Sequence, residues 1–192
     1  MAIFLVLAPY GVFTVAMLTA SAVVSLLLAA ATCLAVIAID AVRGRQVKIL
    51  GAGSAVVFAG IAGYLLLVDA SLSGWVVRLG VDTGIFLISL GSLVLRRPFT
   101  LQYALESVPA EIAAMPGFLR ANYVITAAWT AAMALMAVGN IAMIVVPGLP
   151  LWTGLAVAFA ARNCAIYFTK WYPEYRRIKD SAPPARALPE TR

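Results

Sequence analysis

The chain has 192 residues, of which 64% are hydrophobic and only 11% charged, and it carries a formal net charge of +6 with no histidine. With a mean hydropathy of +0.99, this composition excludes an ordinary water-soluble domain. At roughly 20 residues per span the length holds about six helices with short connections, so the expected fold class is all-α: a polytopic membrane bundle over 1–179 with a proline-containing tail over 180–192 that has too little to bury to fold.

The first apolar run extends from residue 2 to residue 42, about twice what one span requires. The small, turn-tolerant stretch "TASAVVS" divides it into helices at about 3–19 and 21–42, and Pro9 kinks the first or delays its start. "ASA" at 20–22 resembles a signal-peptide cleavage site, but no Lys or Arg lies in the first forty residues, which argues against processing. Further spans follow at about 49–69, 74–96, 120–146 and 150–170, punctuated by Asp69 to Gly74 and by "PGLP" at 147–150.

The basic residues orient these spans. Arg43, Arg45 and Lys48 follow the second helix, Arg96, Arg97 and Arg120 lie between the fourth and fifth, and Lys170, Arg176, Arg177, Lys179, Arg186 and Arg192 follow the sixth. The alternate connections contain no Lys or Arg, so the positive-inside rule puts both termini in the cytoplasm. Of the fourteen basic residues only Arg78 and Arg162 fall outside these clusters. Such clusters rest on anionic phospholipid headgroups; membrane phospholipids, membrane-protein partners or further copies of the chain are the expected partners, and the charge does not call for nucleic acid.

Between the fourth and fifth spans, "RRPFTLQYALESVPAEIAAMPGF" has structure of its own. Pro98 and Pro109 stand where a proline opens a short helix, and Leu101, Leu105 and Val108 share a face opposite Gln102 and Glu106. Residues 98–115 therefore read as amphipathic turns in the interface, with Arg96, Arg97, Phe99, Gln102 and Tyr103 at their start. The segment is either a linker resting in the headgroups, the favoured reading, or a docking or gating element.

The chemical inventory is short. Without histidine there is no imidazole base or ligand, and Cys33 and Cys164 sit in different spans without redox or metal spacing, which marks them as packing residues. No phosphate loop, nucleophile elbow or paired-carboxylate motif is present, so no cofactor or metal is expected and the reading leans away from an enzyme. Gly60, Gly63, Gly80, Gly84 and Gly91 stand at helix-packing spacings, while Trp75, Trp152, Trp171 and Tyr172 fall near span ends as interfacial anchors.

Charge inside the spans is the exception. Arg162 lies roughly 16 Å from the outer end of the last helix, near the middle of a hydrocarbon layer about 30 Å thick. Asp82 and Asn140 lie roughly 10 Å and 9 Å deep on their own helices. A lone charge at such depth costs about 2.5–3.5 kcal/mol on insertion scales, so Arg162 should face the bundle and meet Asp82, with Arg78 one turn before Asp82 competing for the carboxylate. Arg78, Asp82, Asn140, Arg162 and Asn163 thus form a constellation that is either an anion site or a clasp between helices.

The stretches "FLVLAPYGVF", "VRGRQVK", "GW" and "LRRPF", followed by "WTAAMALMAVGNI" and "YFTKWYPEYRR", resemble the intracellular septation protein A family of small bacterial inner-membrane proteins. Trp129 and Asn140 match that pattern best, whereas Asp82 and Arg162 stand outside it. The resemblance implies an inner-membrane protein with a non-enzymatic envelope or septation role exercised through partners. A small transporter or channel for an anionic or amphipathic solute, using Arg162 and Asp82, is the alternative, and a lipid-modifying enzyme the third.

Overall fold

The computed structural model describes the backbone over residues 2–181 and side chains over 7–177. The chain forms α1 (Ala2–Thr19), α2 (Ala22–Val42), α3 (Ile49–Leu67), α4 (Gly74–Val94), α5 (Phe99–Ala104), α6 (Ala110–Ala113), α7 (Pro116–Val145) and α8 (Leu151–Ser181), with no strand among the described residues. Helices α2, α3, α4, α7 and α8 are long and apolar enough to cross a membrane, and α1 adds a shorter apolar stretch, Leu7–Thr19. The chain is thus an all-α, multi-pass membrane protein.

Local chemistry sets the breaks. The long N-terminal apolar run divides at Ala20 and Ser21, where the Ser21 hydroxyl accepts from the Val24 amide at 3.4 Å and caps α2. At the other end of α2, Gly44 takes φ +67° and the Arg45 amide donates to the Asp40 carbonyl at 2.9 Å. This closes a Schellman turn that satisfies two of the helix's orphan carbonyls. Helix α4 ends the same way, but the left-handed position is Arg96, φ +56°, with the Arg97 amide on the Ser92 carbonyl at 2.8 Å. That turn reverses the chain so that Pro98 and Phe99 fold back under the bundle.

Two boundaries differ from the sequence reading. Helix α7 begins at Pro116 rather than near 120, because proline at the first turn gives up only an amide that has no partner there. Helix α8 continues through Pro173 to Ser181 instead of stopping near 170; beyond the apolar stretch an Arg177 to Glu174 contact at 2.9 Å links side chains one turn apart on its surface. From residue 182 onward the expected tail lies outside the described residues.

The long helices pack in chain order, α1 on α2, α2 on α3, α3 on α4, α4 on α7 and α7 on α8, while α5 lies against α7. The core sits between α1 and α4: Phe58 of α3 is fully buried, its ring 5.5 Å from Phe13 and 6.0 Å from Tyr10, with Leu26, Val77 and Val81 around it. Outward positions such as Leu67, Leu95, Leu151 and Phe159 are exposed apolar residues, as a lipid-facing surface requires. Of the glycines at packing spacing, only Gly80 and Gly84 meet a neighbour. A Cβ on Gly84 would lie 2.8 Å from Val57, whereas one on Gly60, Gly63 or Gly91 would meet nothing within 4 Å. The closest approach at α8 is Gly154, which the spacing pattern did not include: a Cβ there would lie 2.8 Å from Trp75 of α4 and 3.0 Å from Met143 of α7.

Candidate functional site between two cavities

Arg162 of α8 lies where two cavities meet. The larger, about 430 Å³, runs from Asp82 and Arg162 toward the end of the bundle that carries α5 and α6, between walls that include Ile85, Ile125, Trp129 and Met133, to a floor of Tyr103, Ser107 and Ile112. The other, about 410 Å³, extends from the same pair toward Arg78 and Gly154 at the opposite end. Four side chains border both: Tyr10 of α1, Asp82 of α4, Met136 of α7 and Arg162.

Within this partition the carboxylate has a neutral partner. Asn140 of α7 donates its side-chain amide to Asp82 Oδ2 at 2.6 Å. Arg162 makes neither a hydrogen bond nor an ion pair with any described residue, although the Asp82 charge acts on the same local field. No side-chain nitrogen or oxygen among the described residues is both fully buried and unpaired, so the half-buried guanidinium points into cavity space and not into packed protein. An unmade salt bridge beside an open cavity leaves the strongest anion-binding group of the spans available.

Two members of the expected constellation behave differently. Arg78 does not pair with Asp82; its guanidinium lies over the Trp75 ring, 5.0 Å from the centroid, at the far wall of the second cavity. Asn163 is exposed and spends its amide on the Phe159 carbonyl of its own helix at 2.8 Å. Asn163 borders neither cavity. The structure thus brings Arg78, Asp82, Asn140 and Arg162 to the cavities without Asn163, and the hydrogen bond that joins helices there is Asn140 to Asp82 and not a direct Arg162 to Asp82 pair.

At the other end of the larger cavity, α5 is anchored and does not float. Gln102 accepts from the Ile49 amide at 2.8 Å, opening α3, and Glu106 just beyond α5 lies 3.1 Å from Lys48 Nζ. Lys48, only 7% exposed, also meets Asp40 Oδ2 at 2.6 Å and sits 5.3 Å from the centre of the Tyr103 ring. Arg45 joins both carboxylates at 3.7 Å and 3.8 Å. Packing of Tyr103 against this cluster raises its phenol above the ordinary tyrosine value, first through loss of water and then through the charges that Tyr10, Asp40, Cys33 and Glu106 can carry. Phe99 is buried, its amide on the Ser92 hydroxyl at 3.2 Å. Arg96 and Arg97 remain exposed.

The hydroxyl seam joining α4, α5 and α7 was not among the expected residues. Ser89 bonds Thr130 at 2.6 Å, Thr100 bonds Thr126 at 2.7 Å, and Thr100 also donates to the Asn122 carbonyl at 3.0 Å. Its signal is visible in retrospect: Asn122, Thr126 and Thr130 recur every four residues along one face of an apolar helix. Trp129 projects beside them, borders the larger cavity and donates to Thr169 of α8 at 2.9 Å. No group of three or more His, Cys, Asp or Glu residues is placed to hold a metal among the described residues.

Comparison with protein-family models, with characterised proteins and with solved structures yields no match to this chain. The fold and the geometry of the site therefore carry the functional reading alone.

Proposed function

We propose that the protein is a small carrier of the bacterial inner membrane, with six spans and both termini in the cytoplasm, that moves an anionic or amphipathic solute past Arg162 and Asp82. The observation behind this reading is the pair of cavities, directed to opposite ends of the bundle and divided by one thin layer of Tyr10, Asp82, Met136 and Arg162. Binding near the membrane midplane between two vestibules is what alternating access requires. Arg162 holds the solute's negative charge, and the Asn140-bound Asp82 keeps the net charge of the layer low. The basic clusters then face the cytoplasm, which makes the α5–α6 segment the inner floor.

A second reading follows the septation-family resemblance: an envelope protein that works through contacts with other membrane proteins. In its favour, Leu105, Ile112 and Met115 around α6 present exposed apolar side chains beside an anchored α5, a surface suited to the headgroup layer or to a partner helix.

Cysteine accessibility separates the two. With Cys164 replaced by alanine, Met136→Cys sits in the dividing layer, and a membrane-impermeant thiol reagent is applied to oriented vesicles from each face in turn. The carrier reading expects modification from both faces. Modification from one face alone, or from neither, overturns it.

A further inference from the structure

We propose that the larger cavity binds an apolar monoanion, a single negatively charged head on one hydrocarbon chain, with the head at Arg162 and the chain directed toward α5. The inference takes the use of Arg162 from the carrier reading and adds to it the class and orientation of the ligand.

Charge sets the head. Around the dividing layer stand Arg78, Asp82 and Arg162, two cations and one anion, for a formal balance of one positive charge. Asp82 is already engaged by Asn140, Arg78 lies over Trp75 at the far wall, and Arg162 alone presents an uncommitted guanidinium to both cavities. A single carboxylate or comparable group meets that fork in a bidentate pair and neutralises the layer. A dianion would leave one charge uncompensated in a medium that penalises it.

Shape and lining set the body. Beyond Asp82 and Arg162 no charged side chain borders the larger cavity, and its walls are mainly aliphatic and aromatic, with Thr100, Ser107, Asn122 and Thr169 as polar exceptions. Its volume of about 430 Å³ is within the range of sites that enclose small organic ligands, roughly 300–1,000 Å³. Met133 and Met136 supply flexible, polarizable contacts that adjust to a chain. The second cavity, with Arg78 and Asn140 in its walls, is the more polar route and does not suit the hydrocarbon part. Both cavities are bordered by α1 and α8, the first and last helices in the packing order, which make no extensive contact with each other; this is the side from which a single chain would enter.

Trp129 in the cavity wall provides the readout. The full-length protein in nanodiscs of zwitterionic lipid is titrated with undecanoate carrying a terminal bromine, and tryptophan quenching is followed. The proposal expects saturable quenching that disappears in Trp129→Phe, and an apparent Kd raised roughly ten- to hundredfold by Arg162→Gln, the loss that follows removal of a charge-assisted contact. The bromine-tipped undecanol should bind weakly and be indifferent to Arg162→Gln. Protection of the unsubstituted protein against heat by decanoate but not by decanol gives the same result without relying on the tryptophan variant. Equal binding of acid and alcohol, or no effect of Arg162→Gln, overturns the anionic head. Competition by propionate as strong as by decanoate overturns the chain requirement, and displacement by an anionic diacyl phospholipid overturns the single-chain class. Because Met136→Cys accessibility reports on transport and not on binding, saturable acid binding with one-sided labelling removes the carrier reading alone.

Discussion

Asn140 donates its side-chain amide to Asp82 Oδ2 at 2.6 Å, which ties α7 to α4 at the level where the two cavities meet. It is the only hydrogen bond of the Asp82 carboxylate among the described residues, and no direct ion pair joins Asp82 to Arg162, whose guanidinium borders both cavities.

Removing that amide exposes the cost of the carboxylate. Asn140→Leu should lower stability in detergent by about 0.5–2 kcal/mol, the range of interhelical hydrogen bonds within membranes. Asp82→Leu combined with Asn140→Leu should recover part of the loss, because two apolar side chains leave no unsatisfied group. Denaturant unfolding of the two single variants and the double variant measures the coupling; strictly additive losses would contradict a direct bond.

Lys48 is the one buried Lys or Arg among the described residues, with 8% of its side chain exposed against 9% for Asp40 and 25% for Glu106. Lys48→Met should destabilise the protein by about 3 kcal/mol, as expected when one member of a buried cluster is removed and its carboxylates are left uncompensated. Pairing it with Asp40→Asn should restore a substantial part. Release of α5 should accompany the loss, read as faster proteolysis between Pro98 and Pro116.

The same cluster sets an alkaline limit. The Tyr103 phenol is raised chiefly by burial and then by neighbouring ionisable groups, Tyr10 ahead of Asp40 and Glu106, so the neutral form is favoured in the fold relative to the unfolded chain. Its contribution is fully present below the unfolded tyrosine value of about 10 and is lost as pH rises through the higher folded value. Thermal stability should therefore fall more steeply above about pH 10 in the native protein than in Tyr103→Phe, with phenolate absorbance appearing later than for free tyrosine. Identical alkaline profiles for the two proteins would remove Tyr103 from the account.

Glycine substitutions should sort by what a Cβ meets. At Gly154 it would strike the Trp75 ring at 2.8 Å and Met143 at 3.0 Å, so Gly154→Val should separate α8 from α4 and α7 and destabilise by about 1–3 kcal/mol, the usual cost of overpacking. Gly63 has nothing within 4 Å of a Cβ, and Gly63→Ala should be neutral or stabilising by about 0.5–1 kcal/mol through helix propensity. Parallel melting curves test the ordering.

The sequence by itself determined the class, an all-α chain with several apolar helices of membrane-crossing length, the approximate position of most of the breaks between them, and the residues that bear charge inside those helices. These follow from one-dimensional quantities: the apolar length needed to cross a bilayer, the small or turn-forming stretches at Thr19 to Ser25, Asp69 to Gly74 and 147–150, and the positions of Lys and Arg. Depth along a helix also follows from counting, which put Asp82 and Asn140 at one level. Partner choice does not, since several polar groups at similar depths compete, and only packing α4 against α7 gave Asp82 to Asn140, left Arg162 facing the cavities and turned Asn163 outward. The cluster of Asp40, Arg45, Lys48 and Glu106 joins residues far apart in the chain, and it forms because the Schellman turns at Gly44 and Arg96 fold two connections onto the same end of the bundle. The cavities themselves are spaces between helices, so no property of a single residue or segment encodes them; they exist only once the helices have chosen their neighbours.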